Sequence, residues 1–158
     1  MMIINQFSFV IAAVGFFILI AVLILRQGVD RKRLIVLGIF AASMVGGWFA
    51  VRPGPSTLRD LAEFDAALGS GQPIVLEYQS EFCMGCIALQ PMVAEMKATY
   101  GEDVVFIQVN AYDALGRTLA ERYALAVTPT IVYFDASGME VGRTIATIDA
   151  ARIEETIE

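Results

Sequence analysis

The pattern of apolar and polar positions splits this chain in two. Met1 to Leu25 has no charged side chain, and Leu34 to Val51 is a second uncharged run of 18 residues. At 1.5 Å per residue, about 20 helical residues cross the roughly 30 Å hydrocarbon core of a bilayer. Both runs therefore predict membrane-spanning helices, over about residues 2–25 and 34–51. From residue 53 onward the apolar runs are shorter and periodic. Leu58, Leu61, Phe64 and Leu68 share one helical face, opened by the capping-box-like Thr57-Leu58-Arg59-Asp60 and stopped by Gly69-Ser70-Gly71. Ile74 to Tyr78 reads as a buried strand, Cys83 to Thr99 as a helix interrupted at Pro91, Val104 to Val109 as a second buried strand, and Leu115 to Tyr123 as another helix. Thr130 to Phe134 and Glu140 to Thr144 flank Asp135-Ala136-Ser137-Gly138 as a hairpin, and Asp149 caps a last helix carrying Ile153 and Ile157. This order predicts a small α/β domain over residues 53–158, a mixed sheet with helices on both faces.

Composition supports the division. The apolar fraction of 57% and mean hydropathy of +0.64 exceed the soluble average of about 45–50% apolar, and the excess lies before residue 52. A cleaved signal peptide needs a basic leader and a small-x-small cleavage site; the first run has neither, and a second span follows it. Between the spans, Arg26-Gln27-Gly28-Val29-Asp30-Arg31-Lys32-Arg33 carries four basic residues against one acidic. Short basic loops stay in the cytoplasm, which puts both chain ends outside and Trp48 and Phe49 at the outer interface. Gly38, Ala42 and Gly46 recur every four residues, a face suited to packing on the first helix or on another membrane protein, or simply incidental. Pro53-Gly54-Pro55-Ser56 forms a short stiff linker. Beyond it, six basic residues stand against sixteen acidic ones, a net charge of −10 that argues against nucleic acid as a partner.

The chemistry concentrates in Glu77-Tyr78-Gln79-Ser80-Glu81-Phe82-Cys83-Met84-Gly85-Cys86, an apolar strand turning into a helix whose first turn holds both cysteines of the chain. A helix N-terminus offers unpaired N–H groups and partial positive charge, which favour a thiolate on Cys83. Cys86, three residues on and on the same face, is near enough to close a disulfide and expel what Cys83 has captured. A structural staple is one alternative, but a loop of about four residues stabilises by only about 1.9 kcal/mol on the chain-entropy model. A metal site is another; with two Cys and no His, zinc would need carboxylates or a second chain, and no metal is expected.

These features together resemble the thioredoxin fold family over nearly all of residues 57–158. The match rests on Glu77 six positions before Cys83, Cys83-Met84-Gly85-Cys86 opening a helix, Pro91 five residues after Cys86, and Val127-Thr128-Pro129-Thr130 before the hairpin. The resemblance implies a cis Thr128–Pro129 bond beside the dithiol, with the Thr128 backbone pairing with an extended client. It implies Cys83 as nucleophile, Cys86 as resolving thiol, Glu77 as acceptor of the Cys86 proton, and Phe82, Met84, Gly85, Thr128 and Pro129 as the client-binding surface. Phe82 and Glu77 also have plain structural readings, a core ring and a strand-end carboxylate. No cofactor is expected beyond the redox-active Cys83–Cys86 pair.

Some positions depart from the family. Only Arg52 to Ser56 separates the membrane from the first domain helix, so the usual first strand is missing and four strands are expected. Gln108 stands where a lysine often partners the buried acid, Gly85 replaces a common proline, and Ala146 replaces a usual glycine. Met84-Gly85 supplies no cation and Glu81 adds a negative charge, which points to the reducing half of the family's range. The expected function is a membrane-anchored, extracytoplasmic thiol–disulfide reductase in a bacterial cytoplasmic membrane, similar to those that keep apocytochrome or other client cysteines reduced. Neither span holds a cysteine, so a separate membrane electron donor with its own cysteine pair is expected. A thiol oxidase or isomerase, and a non-catalytic interaction module, are the alternatives.

Overall fold

The computed structural model describes residues 7–26 and 28–157. Two long helices come first, α1 (Ser8–Leu25) and α2 (Arg31–Val51), each long and apolar enough to cross a membrane. Residues 2–6 of the first expected span lie outside the described residues. The pair meets through aromatic contacts: Phe40 packs on Phe16 and Phe17, with ring centroids 5.9 and 6.2 Å apart. Leu37, one turn away, is buried in the same seam. Gly38, Ala42 and Gly46 are exposed, and a side-chain carbon at Gly38 or Gly46 would meet nothing within 4 Å. The small-residue face therefore turns away from α1.

The domain follows in the order α3 (Leu61–Leu68), β1 (Ile74–Gln79), α4 (Met84–Tyr100), β2 (Val105–Asn110), α5 (Ala114–Tyr123), β3 (Thr130–Phe134), β4 (Glu140–Ile145) and α6 (Ala150–Ile157). Its four strands lie in the order β2-β1-β3-β4, with β1–β2 parallel and the other two pairs antiparallel. Strand alternation sorts the core into two layers. Ile74, Leu76 and Tyr78 of β1 meet Phe64 of α3 and Leu115 and Leu119 of α5 on one face. Val75 meets Leu89 and Val93 of α4 and Ile153 of α6 on the other. Phe64, Ile74, Leu76, Leu119 and Ile153 are fully buried, each worth roughly 1.5–3 kcal/mol of transfer free energy.

Two expected elements differ in detail. The first domain helix starts at Leu61, capped by Asp60, whose carboxylate accepts the Glu63 N–H at 3.0 Å. Thr57 instead lies along the outer edge of β2: its N–H donates to the Gln108 carbonyl at 2.8 Å, and its hydroxyl accepts from Gln108 N–H at 3.1 Å. The missing first strand is thus replaced by two residues covering that edge, Thr57 on Gln108 and Ser56, whose hydroxyl accepts from the Asn110 N–H at 2.8 Å. The second difference is at Pro91, where α4 continues without interruption, because one lost N–H is tolerated in a helix held by Leu89 and Val93.

Candidate functional site

Cys83 is the N-cap of α4, placed by its own N–H donating to the Ser80 carbonyl at 3.2 Å. Its carbonyl accepts from Ile87, the first helical bond. The side chain is 1% exposed, and its thiol lies 3.4 Å from the Thr128 carbonyl. The Cys83 thiol is held down from its ordinary 9.0 to about 5, first by the hydrogen bond from the Cys86 thiol, then by the Thr128 side-chain hydroxyl and the backbone N–H groups of Cys86 and Gly85, against the opposing effect of burial. Cys86 is fully buried; the same shared hydrogen bond and burial push its thiol up, although Ser80 N–H reaches its sulfur at 3.4 Å. The shared hydrogen bond thus favours the thiolate on Cys83 and the thiol on Cys86, and no disulfide joins them.

Thr128–Pro129 is a cis peptide, and its loop is joined to β4 by Ala146 N–H donating to the Pro129 carbonyl at 3.0 Å. A side-chain carbon at Gly85 would sit 3.2 Å from Pro129 Cδ and 3.8 Å from Cys83 Sγ. Gly85 thus lets the motif approach the cis-proline closely. Met84 is 49% exposed at the rim, while Pro129 and Thr128 are buried beside the thiolate.

Glu77 is 2% exposed, in the middle of the sheet between Gln108 of β2 and Ile131 of β3. Desolvation raises its carboxyl above the usual range, against two amide donors: Gln108 Nε2 at 2.8 Å and Gln90 Nε2 at 3.0 Å. Gln108 also reaches Gln90 Oε1 at 3.3 Å, closing a three-residue network with no cation in it. Gln90 lies on α4 one turn past Cys86, and a cavity of about 190 Å³ runs from Glu77, Gln90 and Gln108 to Lys97. Gln90 was not foreseen from the sequence; a polar residue four positions beyond Cys86 on the buried side of a helix was the signal available.

The structure adds neighbours from outside the domain. Phe82, expected at the client surface, stacks on Trp48 of α2 (5.6 Å, 7° between planes) and on Phe7 before α1 (5.6 Å, 18°). Tyr112 packs on both phenylalanine rings. Glu81 pairs with Arg52 at 2.9 Å, so its negative charge is not left to act on Cys83 as expected. The geometry suits thiol–disulfide exchange: a buried low-pKa thiolate, a protonated second thiol touching it, and a backbone edge at Thr128.

The thioredoxin family model matches residues 56–158. Among curated proteins, a Synechocystis thiol:disulfide interchange protein TxlA homolog is 30% identical over 91 residues, covering 58% of this chain and 51% of that protein. The rice thioredoxin-like protein HCF164, chloroplastic, is 28% identical over 125 residues, covering 73% and 46%. A thioredoxin from Acetoanaerobium sticklandii is 33% identical over 102 residues, covering 63% and 92%. This chain thus spans about half the length of the first two. Oxidized mitochondrial thioredoxin 3 of Saccharomyces cerevisiae shares the fold at a TM-score of 0.53, with 23% identity over 63% of this chain and 90% of that one.

Proposed function

This chain is a member of the thioredoxin family and a thiol–disulfide oxidoreductase, and we propose that it is a membrane-anchored reductase of extracytoplasmic client disulfides. The observation that carries this reading is the dithiol itself, Cys83 at the start of α4 between Cys86 and the cis Thr128–Pro129 edge, on a domain that follows two helices long and apolar enough to cross a membrane. Cys83 attacks one sulfur of a client disulfide, forming a mixed disulfide and releasing the other client sulfur as a thiolate that takes up a proton. Cys86 then attacks Cys83, its proton passing to Glu77 directly or through water; the second client thiol leaves, and Cys83–Cys86 is oxidised. Glu77 suits the task because burial raises its carboxyl above the ordinary value, which makes the carboxylate a stronger base, and the cavity toward Lys97 gives the proton a way out. Two electrons must return to the pair for each turnover. With no cysteine in either span, we assign them to a separate membrane donor carrying its own cysteine pair.

A second reading, thiol oxidation, is favoured by the low Cys83 value, which falls between about 7 for thioredoxin and about 3.5 for the strong oxidant DsbA. The resting state separates the two: a dithiol in growing cells supports the reductase, a disulfide the oxidase.

The experiment for the mechanism is trapping. Cys86→Ala is expected to accumulate mixed disulfides through Cys83 that dithiothreitol releases, and Cys83→Ala to accumulate none; equal trapping by both variants refutes the assignment of roles. For sidedness, Ala136→Cys in the exposed hairpin turn, with Cys83 and Cys86 replaced by Ser, is expected to react with an impermeant maleimide on intact spheroplasts. Reaction only after lysis would invert the orientation.

A further inference from the structure

The membrane hairpin does not hold the domain on a loose tether. At the start of α1, Phe9 N–H donates to the Phe82 carbonyl at 3.1 Å, and the Ser8 hydroxyl accepts the Met84 N–H at 3.2 Å. Each is a first-turn N–H without a partner in its own helix, so α1 and α4 satisfy each other's N-termini. At the end of α2, Trp48 stacks on Phe82, its indole N–H donates to the Glu81 carbonyl at 3.1 Å, and Arg52 pairs with the Glu81 carboxylate. The linker is pinned as well. Gly54 carbonyl accepts from Gln79 Nε2 at 2.8 Å, and Ser56 hydroxyl accepts from Asn110 N–H at 2.8 Å and bonds to Asp113. All three attachments fall at the end of the sheet where β1 and β2 finish, beside the dithiol. Glu81, Phe82 and Met84 are the residues that flank Cys83, so the nucleophile is fixed at the level of the outer ends of the two helices.

We propose that this protein is selective for disulfides presented at the membrane surface, within a few residues of the end of a client's own membrane-spanning segment. The proposal rests on the anchored-reductase reading above and deepens it by naming the client class. A thiolate must meet a disulfide sulfur along the S–S axis; Phe82 and Met84, on either side of Cys83, are held by Phe7, Trp48 and Ser8, and Met84 is exposed at that rim. A docked domain cannot swing outward to meet a disulfide borne high above the bilayer. A cysteine pair close to the surface needs no such swing.

The test uses the full chain in liposomes, reduced beforehand, and one disulfide peptide in four forms: free, or joined to an apolar transmembrane helix by tethers of about 3, 6 or 15 residues. For a freely reaching site, lengthening the tether from about 6 to about 15 residues lowers effective concentration by about fourfold. The docked protein is expected to lose about tenfold or more over the same change, with the free peptide slowest of all. A Trp48→Ala, Arg52→Ala variant with a flexible Gly/Ser insertion after residue 52 is expected to reduce the free and long-tether peptides faster and to flatten the series. A wild-type series no steeper than the fourfold decline overturns the proposal, and this arm does not depend on any variant folding. Trp48 is the chain's one tryptophan, so its emission reports docking in the wild type and in a protein that carries the insertion alone, with Trp48 and Arg52 kept. Emission unchanged by the insertion would likewise refute the dock. Failure of both proteins to reduce any form, with the dithiol verified, would overturn the reductase reading itself.

Discussion

Gln108 Nε2 donates to a carboxylate oxygen of Glu77 at 2.8 Å, from the strand position directly across the parallel ladder. A neutral amide stabilises the ionised form less than an ammonium group would, so Glu77 stays raised by desolvation. Replacing Gln108 with Lys supplies that ammonium. The expected outcome is that Glu77 titrates at a lower pH. The acid limb of the pH profile for mixed-disulfide resolution should move with it. Glu77→Gln should remove the limb and slow resolution about 10²-fold at neutral pH, the scale of general base catalysis. Stopped-flow release from a preformed mixed disulfide measures both; a limb that stays in place in both variants would return Glu77 to a structural role.

Gly85 contributes an N–H to the Cys83 thiolate as well as a missing side chain opposite Pro129. Gly85→Pro removes the donor and crowds Pro129 Cδ. Cys83 should titrate above its present value of about 5, moving toward the roughly 7 of thioredoxin. The rate of iodoacetamide alkylation against pH reads this directly, and a midpoint unchanged or lowered would show that the Gly85 N–H has no part in holding the thiolate.

The thiolate also links stability to pH. Cys83 titrates at about 5 when folded and near 9.0 when unfolded, a depressed value. Its contribution is fully present above 9.0 and is lost as pH falls through about 5. Glu77 has the opposite sign: its raised carboxyl gives a contribution present below 4.5 and lost as pH rises through the folded value. Comparison with Cys83→Ser isolates the first effect. In thermal unfolding of the reduced protein in detergent, the wild type should gain more over the variant at about pH 8 than at about pH 5. An advantage that shrinks with rising pH would contradict the thiolate assignment.

Ala146 and Ala124 both lie in the left-handed region, at φ 61° and 52°. That conformation costs an L-residue roughly 1–2 kcal/mol, of which a glycine would give back about 0.4–1 through the greater freedom of its unfolded chain. Ala146→Gly and Ala124→Gly should each stabilise by about 1 kcal/mol, seen as a higher Tm. Ala146 also holds the Pro129 carbonyl, and Ala124 ends α5 far along the chain from the motif. Only the first change should alter exchange rates. Loss of stability at either position would mean that its methyl group packs productively.

By itself the sequence determined the elements and the placement of both cysteines at the start of a helix. Periodicity of two and of 3.6 marks the strands and helices because burial of one face is a local property, readable from neighbouring side chains. Cys83-Met84-Gly85-Cys86 was legible because a helix start and a three-residue spacing suffice to place two sulfurs together, and the uncharged runs were legible because a bilayer demands length and apolarity alone. Tertiary structure decided what depends on distant residues meeting. Gln90 and Gln108 close on Glu77 only because α4 lies over the β1–β2 pair, and Thr57 covers the β2 edge rather than opening a helix because Asp60 is the better cap. The pairing of Arg52 with Glu81 and the stack of Trp48 on Phe82 join positions 29 and 34 apart along the chain. Hydrophobic pattern states that such groups are amphipathic or aromatic, and carries no term for which partner each will find; that choice is made by packing, after the helices and sheet have formed.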